Sequence, residues 1–103
     1  MRVILSTAPN IDEAKQIARH LVENHLAACV NIVPKVTSIY EWQGEIVEDS
    51  EALLIIKAVD FAKVEEAIKK LHSYEVPEII SFEVDEGSRD YLEWMRDVLQ
   101  KHT

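Results

Sequence analysis

Two periodicities alternate along the chain. Val3-Ile4-Leu5 is a short apolar run ending in Ser6-Thr7-Ala8-Pro9-Asn10, which predicts a buried strand and then a turn. From there the period becomes helical. Ala14, Ile17, Ala18, Leu21 and Val22 share one face, predicting an amphipathic helix over residues 11–25. Asn10 suits its N-cap, and Glu13 at the third helical position completes a capping-box-like start. Ala27 to Val33 is extended and apolar on both faces. Pro34 interrupts it, and Val36 to Trp42 resumes the pattern. Proline cannot donate to a ladder, so one long strand with a bulge or break there is expected. Gln43-Gly44 signals a turn, and Glu45 to Val59 returns as a second long strand, giving a long hairpin. Asp60 caps a second helix whose inner face carries Phe61, Val64, Ala67, Ile68 and Leu71. Val76 to Val84 forms a fourth strand, with Ile80, Phe82 and Val84 alternating with Ser81 and Glu83. Ser88 then caps a third helix with apolar positions at Tyr91, Leu92, Trp94, Met95, Val98 and Leu99.

The order strand, helix, strand, strand, helix, strand, helix is that of an α+β ferredoxin-like sandwich (βαββαβ plus a C-terminal helix). One domain over residues 1–103 is expected at this length. Helices in such a sandwich cover one face of the sheet, so a monomer's strands should alternate apolar with polar. Val3 to Leu5, Ala27 to Val33 and Leu53 to Ile56 are apolar on both faces. With no further helix in the chain to cover the second face, the pattern predicts a homo-oligomer.

Charge narrows the partners. The formal net charge is -8, a sign that repels phosphate backbones, so nucleic acid is not an expected partner. No run approaches the ~20 apolar residues of a membrane span, and the apolar start is too short for a signal peptide. A cytoplasmic setting without a membrane partner is expected. Cys29 is the single cysteine, which excludes an internal disulfide and a CxxC metal clip. Two glycines are too few for the GxGxxG or GxxxxGK[ST] phosphate loops. The aromatic strand motif of RNA-binding sandwiches, GxSxG and HExxH are all absent. Ser6 to Asn10 lacks the arginine that an acylphosphatase anion loop needs. No enzymatic activity is expected.

A few polar side chains carry the remaining chemistry. Leu71-His72-Ser73-Tyr74-Glu75-Val76-Pro77-Glu78 sets an imidazole, a phenol and carboxylates beside a proline. It fits a helix-to-strand turn, with His72 and Ser73 capping the helix and Tyr74 anchoring the loop. It also fits part of a metal site, since imidazole and oxygen donors supply some of what a transition metal needs. Cys29 fits a small core residue. The acidic stretch Glu45 to Glu51 fits a solvated strand. His20 and His25 fit the polar face and the end of the first helix, and His102 a frayed terminus.

The chain resembles the CutA family of divalent-cation tolerance proteins. The matching segments are Leu26 to Pro34, Ser38 to Ile46, Leu71 to Ile79, and Tyr91-Leu92-Glu93-Trp94, with Ser6-Thr7-Ala8-Pro9 fitting the first strand and turn. The resemblance implies a tight homotrimer whose long hairpins join the sheets of neighbouring subunits. It implies a role in tolerance of copper and other divalent cations, with metal binding and a signalling function suggested by the architecture. It places His72 at the family's histidine before the Tyr-x-x-Pro-Glu turn, as a ligand for a divalent cation such as Cu(II), with Cys29 or a carboxylate as helper. Ser6 and Leu71 stand where copper-binding members carry a cysteine and a second histidine. Tyr40, Trp42, Lys57, Tyr74, Glu78, Tyr91 and Trp94 are the expected lining of an inter-subunit cleft. No cofactor is expected to be needed for folding.

Overall fold

A computed structural model describes residues 1–100. The elements follow the expected order: β1 (Arg2–Ala8), α1 (Ile11–Glu23), β2 (Ala27–Trp42), β3 (Glu45–Ala58), α2 (Phe61–Leu71), β4 (Ile79–Glu83) and α3 (Arg89–Gln100). The four strands form one antiparallel sheet in the order β2-β3-β1-β4, the ferredoxin-like arrangement.

Local chemistry sets the element ends. The Asn10 side chain accepts from the Glu13 N–H at 2.8 Å, and the Asp60 side chain from the Lys63 N–H at 3.1 Å, so each satisfies one orphan donor of a first turn. At Ser88 the corresponding bond from the Tyr91 N–H is longer, 3.4 Å. Helix α1 stops two residues short of the expected end. Leu26 N–H reaches Leu21 O and His25 N–H reaches Val22 O, the paired bonds of a Schellman turn, with His25 at φ 58° in the place glycine usually takes. The ladder between β2 and β3 shifts register between Val33 and Val36, which is the bulge expected at Pro34. Strand β4 starts at Ile79 rather than Val76, because pairing with β1 begins only where Ile79 meets Ser6. His102 lies outside the described residues.

One core joins sheet and helices. Ile4, Leu54, Ile56 and Ala58 of the sheet pack with Ile17 and Leu21 of α1 and Val64 and Ile68 of α2. Burial of each such large side chain contributes about 1.5–3 kcal/mol. The other face is also largely apolar. Three rows cross it: Asn31–Ile55–Leu5–Ile80, Cys29–Lys57–Val3–Phe82 and Val33–Leu53–Thr7. The apolar stripe of β4 therefore belongs to this open face, where Ile80 and Phe82 are more than half exposed. The expectation that no helix of the chain reaches this side needs correction. Helix α3 packs on β2 and β3, and its Tyr91 meets the Cys29 thiol, so α3 covers one end of the face. Ile80 and Phe82 remain uncovered at the other end.

Candidate functional site

The segment after α2 is a built structure rather than a loose turn. The His72 N–H closes the helix on Ile68 O at 2.8 Å. The His72 ring is buried and lies 2.6 Å, through Nε2, from the backbone oxygen of Thr7 on β1. Its Nδ1 accepts from the Tyr74 N–H at 2.9 Å. Together these bonds fix the tautomer: Nε2 carries the proton and Nδ1 the lone pair. Glu13 of α1 lies 3.5 Å from that Nδ1, but its Oε2 is held by the N–H and hydroxyl of Ser73, both at 3.0 Å. Two distant elements thus pin residues 72–74, and the His72 and Tyr74 rings pack with centroids 4.8 Å apart.

Tyr74 reaches the hairpin. Its phenol donates to Glu51 Oε2 at 3.0 Å, and the Tyr40 phenol donates to Asp49. Between hairpin and loop lies a cleft of about 480 Å³. The hairpin supplies Tyr40, Trp42 and Glu51, the loop supplies Ser73 to Val76 and Glu78, and β1 supplies Thr7. Burial, then the Glu51 hydrogen bond and charge, push the Tyr74 phenol up from its ordinary value. Hydrogen bonding to Asp49 is the first cause of the upward shift at Tyr40. Both phenols are held as donors.

The expected site residues divide. Tyr40, Trp42, Tyr74 and Glu78 meet in this cleft. Lys57, Tyr91 and Trp94 do not: Lys57 bonds to Asn31 on the open face, and Tyr91 packs against Trp94 on α3 beside Cys29. Burial, with the Cys29 thiol beside it, raises the Tyr91 phenol. Glu51 was part of an acidic run expected to be solvated, yet it is only 7% exposed. The available signal was its parity with Leu53 and Ile55 on one strand face. Thr7, Ser73, Glu75 and Val76 enter through tertiary folding alone.

The donors of one subunit do not fit a selective metal centre. The lone pair of His72 is engaged at Nδ1, and its other nitrogen is a donor. Cys29 sits under α3 on the open face. Among the described residues no group of three or more His, Cys, Asp or Glu side chains converges to hold a metal ion. The Ser6 hydroxyl, at the position of a cysteine in the copper-binding pattern, points into the core and finds no partner among the described residues.

The chain is a ferredoxin-like sandwich with a long bulged hairpin and an aromatic, acidic cleft along it, and comparison with known proteins identifies its family. The family model described as CutA1 divalent ion tolerance protein matches residues 2–98, and the chain belongs to that family. A "Divalent-cation tolerance protein CutA" of Thermus thermophilus is 54% identical over 97 residues, covering 92% of this chain and 94% of the relative. Human "Protein CutA" is 47% identical over 96 residues, which is 91% of this chain but 54% of the human protein. The solved Thermus thermophilus structure superposes with a TM-score of 0.90 at 53% identity, covering 94% of this chain and 97% of that one. A structure titled as the periplasmic divalent cation tolerance protein CutA of Archaeoglobus fulgidus gives a TM-score of 0.92 at 35% identity, covering 97% and 100%.

Proposed function

We propose that this divalent-cation tolerance family member is a cytoplasmic, homotrimeric, non-catalytic binding protein that takes a small ligand in the cleft between hairpin and loop. One observation carries this reading: three aromatic side chains and a buried carboxylate, from three separate elements, converge on one cleft. The trimer draws support from the uncovered Ile80 and Phe82 and from the hairpin, where Ile39 and Ile46 are 67% and 75% exposed. A two-stranded ribbon with such side chains is marginal without a partner surface. Divalent ions, copper included, bind in this reading through scattered surface carboxylates, weakly and without selectivity. No cofactor is required for folding. Among the described residues no helix is long and apolar enough to cross a membrane.

Trp42 provides the test, because the chain has two tryptophans and Trp94→Phe leaves Trp42 as the sole reporter. A panel of amines, nucleotides, dicarboxylates and sugar phosphates is titrated against that variant, with its mass checked by sedimentation. The expected result is a mass of three copies and a saturable change in Trp42 emission with one compound class. Silence from every class, combined with tight Cu(II) binding at one site per subunit that disappears in His72→Ala, overturns the reading in favour of a metal centre.

A further inference from the structure

Glu51 is the feature of the cleft that the fold leaves uncompensated. It is a carboxylate more than nine-tenths buried. Its Oε2 accepts one bond, from the neutral phenol of Tyr74, and Glu51 lines the cleft with its other oxygen free to meet a ligand or water there. Among the described residues no lysine, arginine or histidine pairs with it. A largely buried carboxylate that lines a cleft and has no counter-charge within the subunit favours a positive charge from outside it.

The surroundings select the kind of cation. The cleft lining adds Glu75 and Glu78 and holds no basic side chain. Glu45 pairs with Trp42, and Asp49 with Ser38, on the same hairpin face, so the approach is negative as well. Such a field disfavours anions, and a neutral ligand brings Glu51 no counter-charge. A divalent metal ion needs several oxygens at fixed short distances, and that convergence is missing among the described residues. The rest of the lining is aromatic: further along the hairpin toward its turn, Tyr40 and Trp42, 39% and 48% exposed, line the same cleft. Aromatic faces attract weakly hydrated organic cations through the negative face of the ring.

We infer that the cleft takes an organic cation, an ammonium or guanidinium group, with Glu51 as its counter-charge and Trp42 and Tyr40 as its walls. This rests on the cleft being a ligand site and names the chemistry it accepts. The group belongs either to a free amine or to a basic side chain of a neighbouring copy of the chain.

The experiment uses the assembled Trp94→Phe protein at low ionic strength, with putrescine and tetramethylammonium as probes and succinate and Mg(II) as controls. Both amines are expected to change Trp42 emission saturably, and neither control to do so at equal concentration. Glu51→Gln keeps the shape and an acceptor for Tyr74, and is expected to raise the half-saturating amine concentration by about 10-fold or more. Trp42→Leu, followed by calorimetry with tetramethylammonium, tests the aromatic wall independently and is expected to weaken binding. If a neighbouring copy supplies the cation, free amines leave Trp42 unchanged while Glu51→Gln weakens self-association, and that outcome supports the same chemistry. The inference is overturned if Glu51→Gln alters neither amine response nor assembly, or if succinate or Mg(II) saturates the cleft more tightly than the amines. A different compound class acting on Trp42 overturns the cation assignment and leaves the ligand site standing.

Discussion

At the scale of single residues, Tyr74 links the loop to the hairpin and carries a pH signature. Its phenol is raised by burial and by Glu51. The unfolded chain loses that proton near pH ~10, while the folded chain keeps it to higher pH. The contribution to stability is therefore fully present below pH ~10 and is lost as the pH climbs toward the folded value. Urea midpoints measured from pH ~9 to ~11.5 should fall with pH, and the fall should be shallower in Tyr74→Phe. Tyr40 and Tyr91 shift in the same direction, so some slope should survive. His72 shows the opposite kind of legibility. Its place beside Tyr74 was plain in the sequence, but Thr7, which bonds its ring, is 65 residues away.

At the scale of elements, the hairpin turn is a two-residue loop in which Gln43 has φ 51° and Gly44 φ 82°. Positive φ at both positions is the type I′ geometry, whose twist matches the flanking strands. A Cβ added at Gly44 meets nothing within 4 Å, so Gly44→Ala should cost backbone strain alone, about 1 kcal/mol. Gln43→Asn should stabilise slightly, because asparagine tolerates the left-handed region better. Chemical denaturation of both variants at one protein concentration checks this pair, and opposite signs are the expected outcome. The turn, the proline bulge and the helix caps were legible because each depends on residues only a few positions apart. The start of β4 was not, because a strand begins where a partner strand allows pairing.

At the scale of the whole molecule, the open sheet face governs assembly. Ile80 and Phe82 are 55% and 53% exposed in the single chain. A charge at an exposed position of a true monomer changes stability by about 0.5 kcal/mol or less. If the face is an interface, Phe82→Asp should lower the sedimenting mass toward one copy and make stability depend strongly on protein concentration. An unchanged mass would place the interface elsewhere. Apolar runs on both faces of β1, β2 and β3 announce this surface in the sequence. They do not announce that α3 folds over one end of it, since an amphipathic helix shows that it has an inner face and not which surface receives it.

Sequence alone determined the order of elements, the bulged hairpin, the family, and the existence of a second apolar face. The element order, the hairpin and the apolar face rest on periodicity, local capping and turn chemistry, which act over short stretches of chain, and the family on residue motifs spread along all of it. Tertiary structure decided the site. It engaged both ring nitrogens of His72, drew Glu51 out of an acidic run expected to be solvated, and set Lys57, Tyr91 and Trp94 on other parts of the subunit than the hairpin cleft. Glu51 and Tyr74 are 23 residues apart and meet only because the loop after α2 returns to the base of the hairpin. Burial and hydrogen-bond partners arise from such long-range returns, so side-chain roles became definite only in the folded chain.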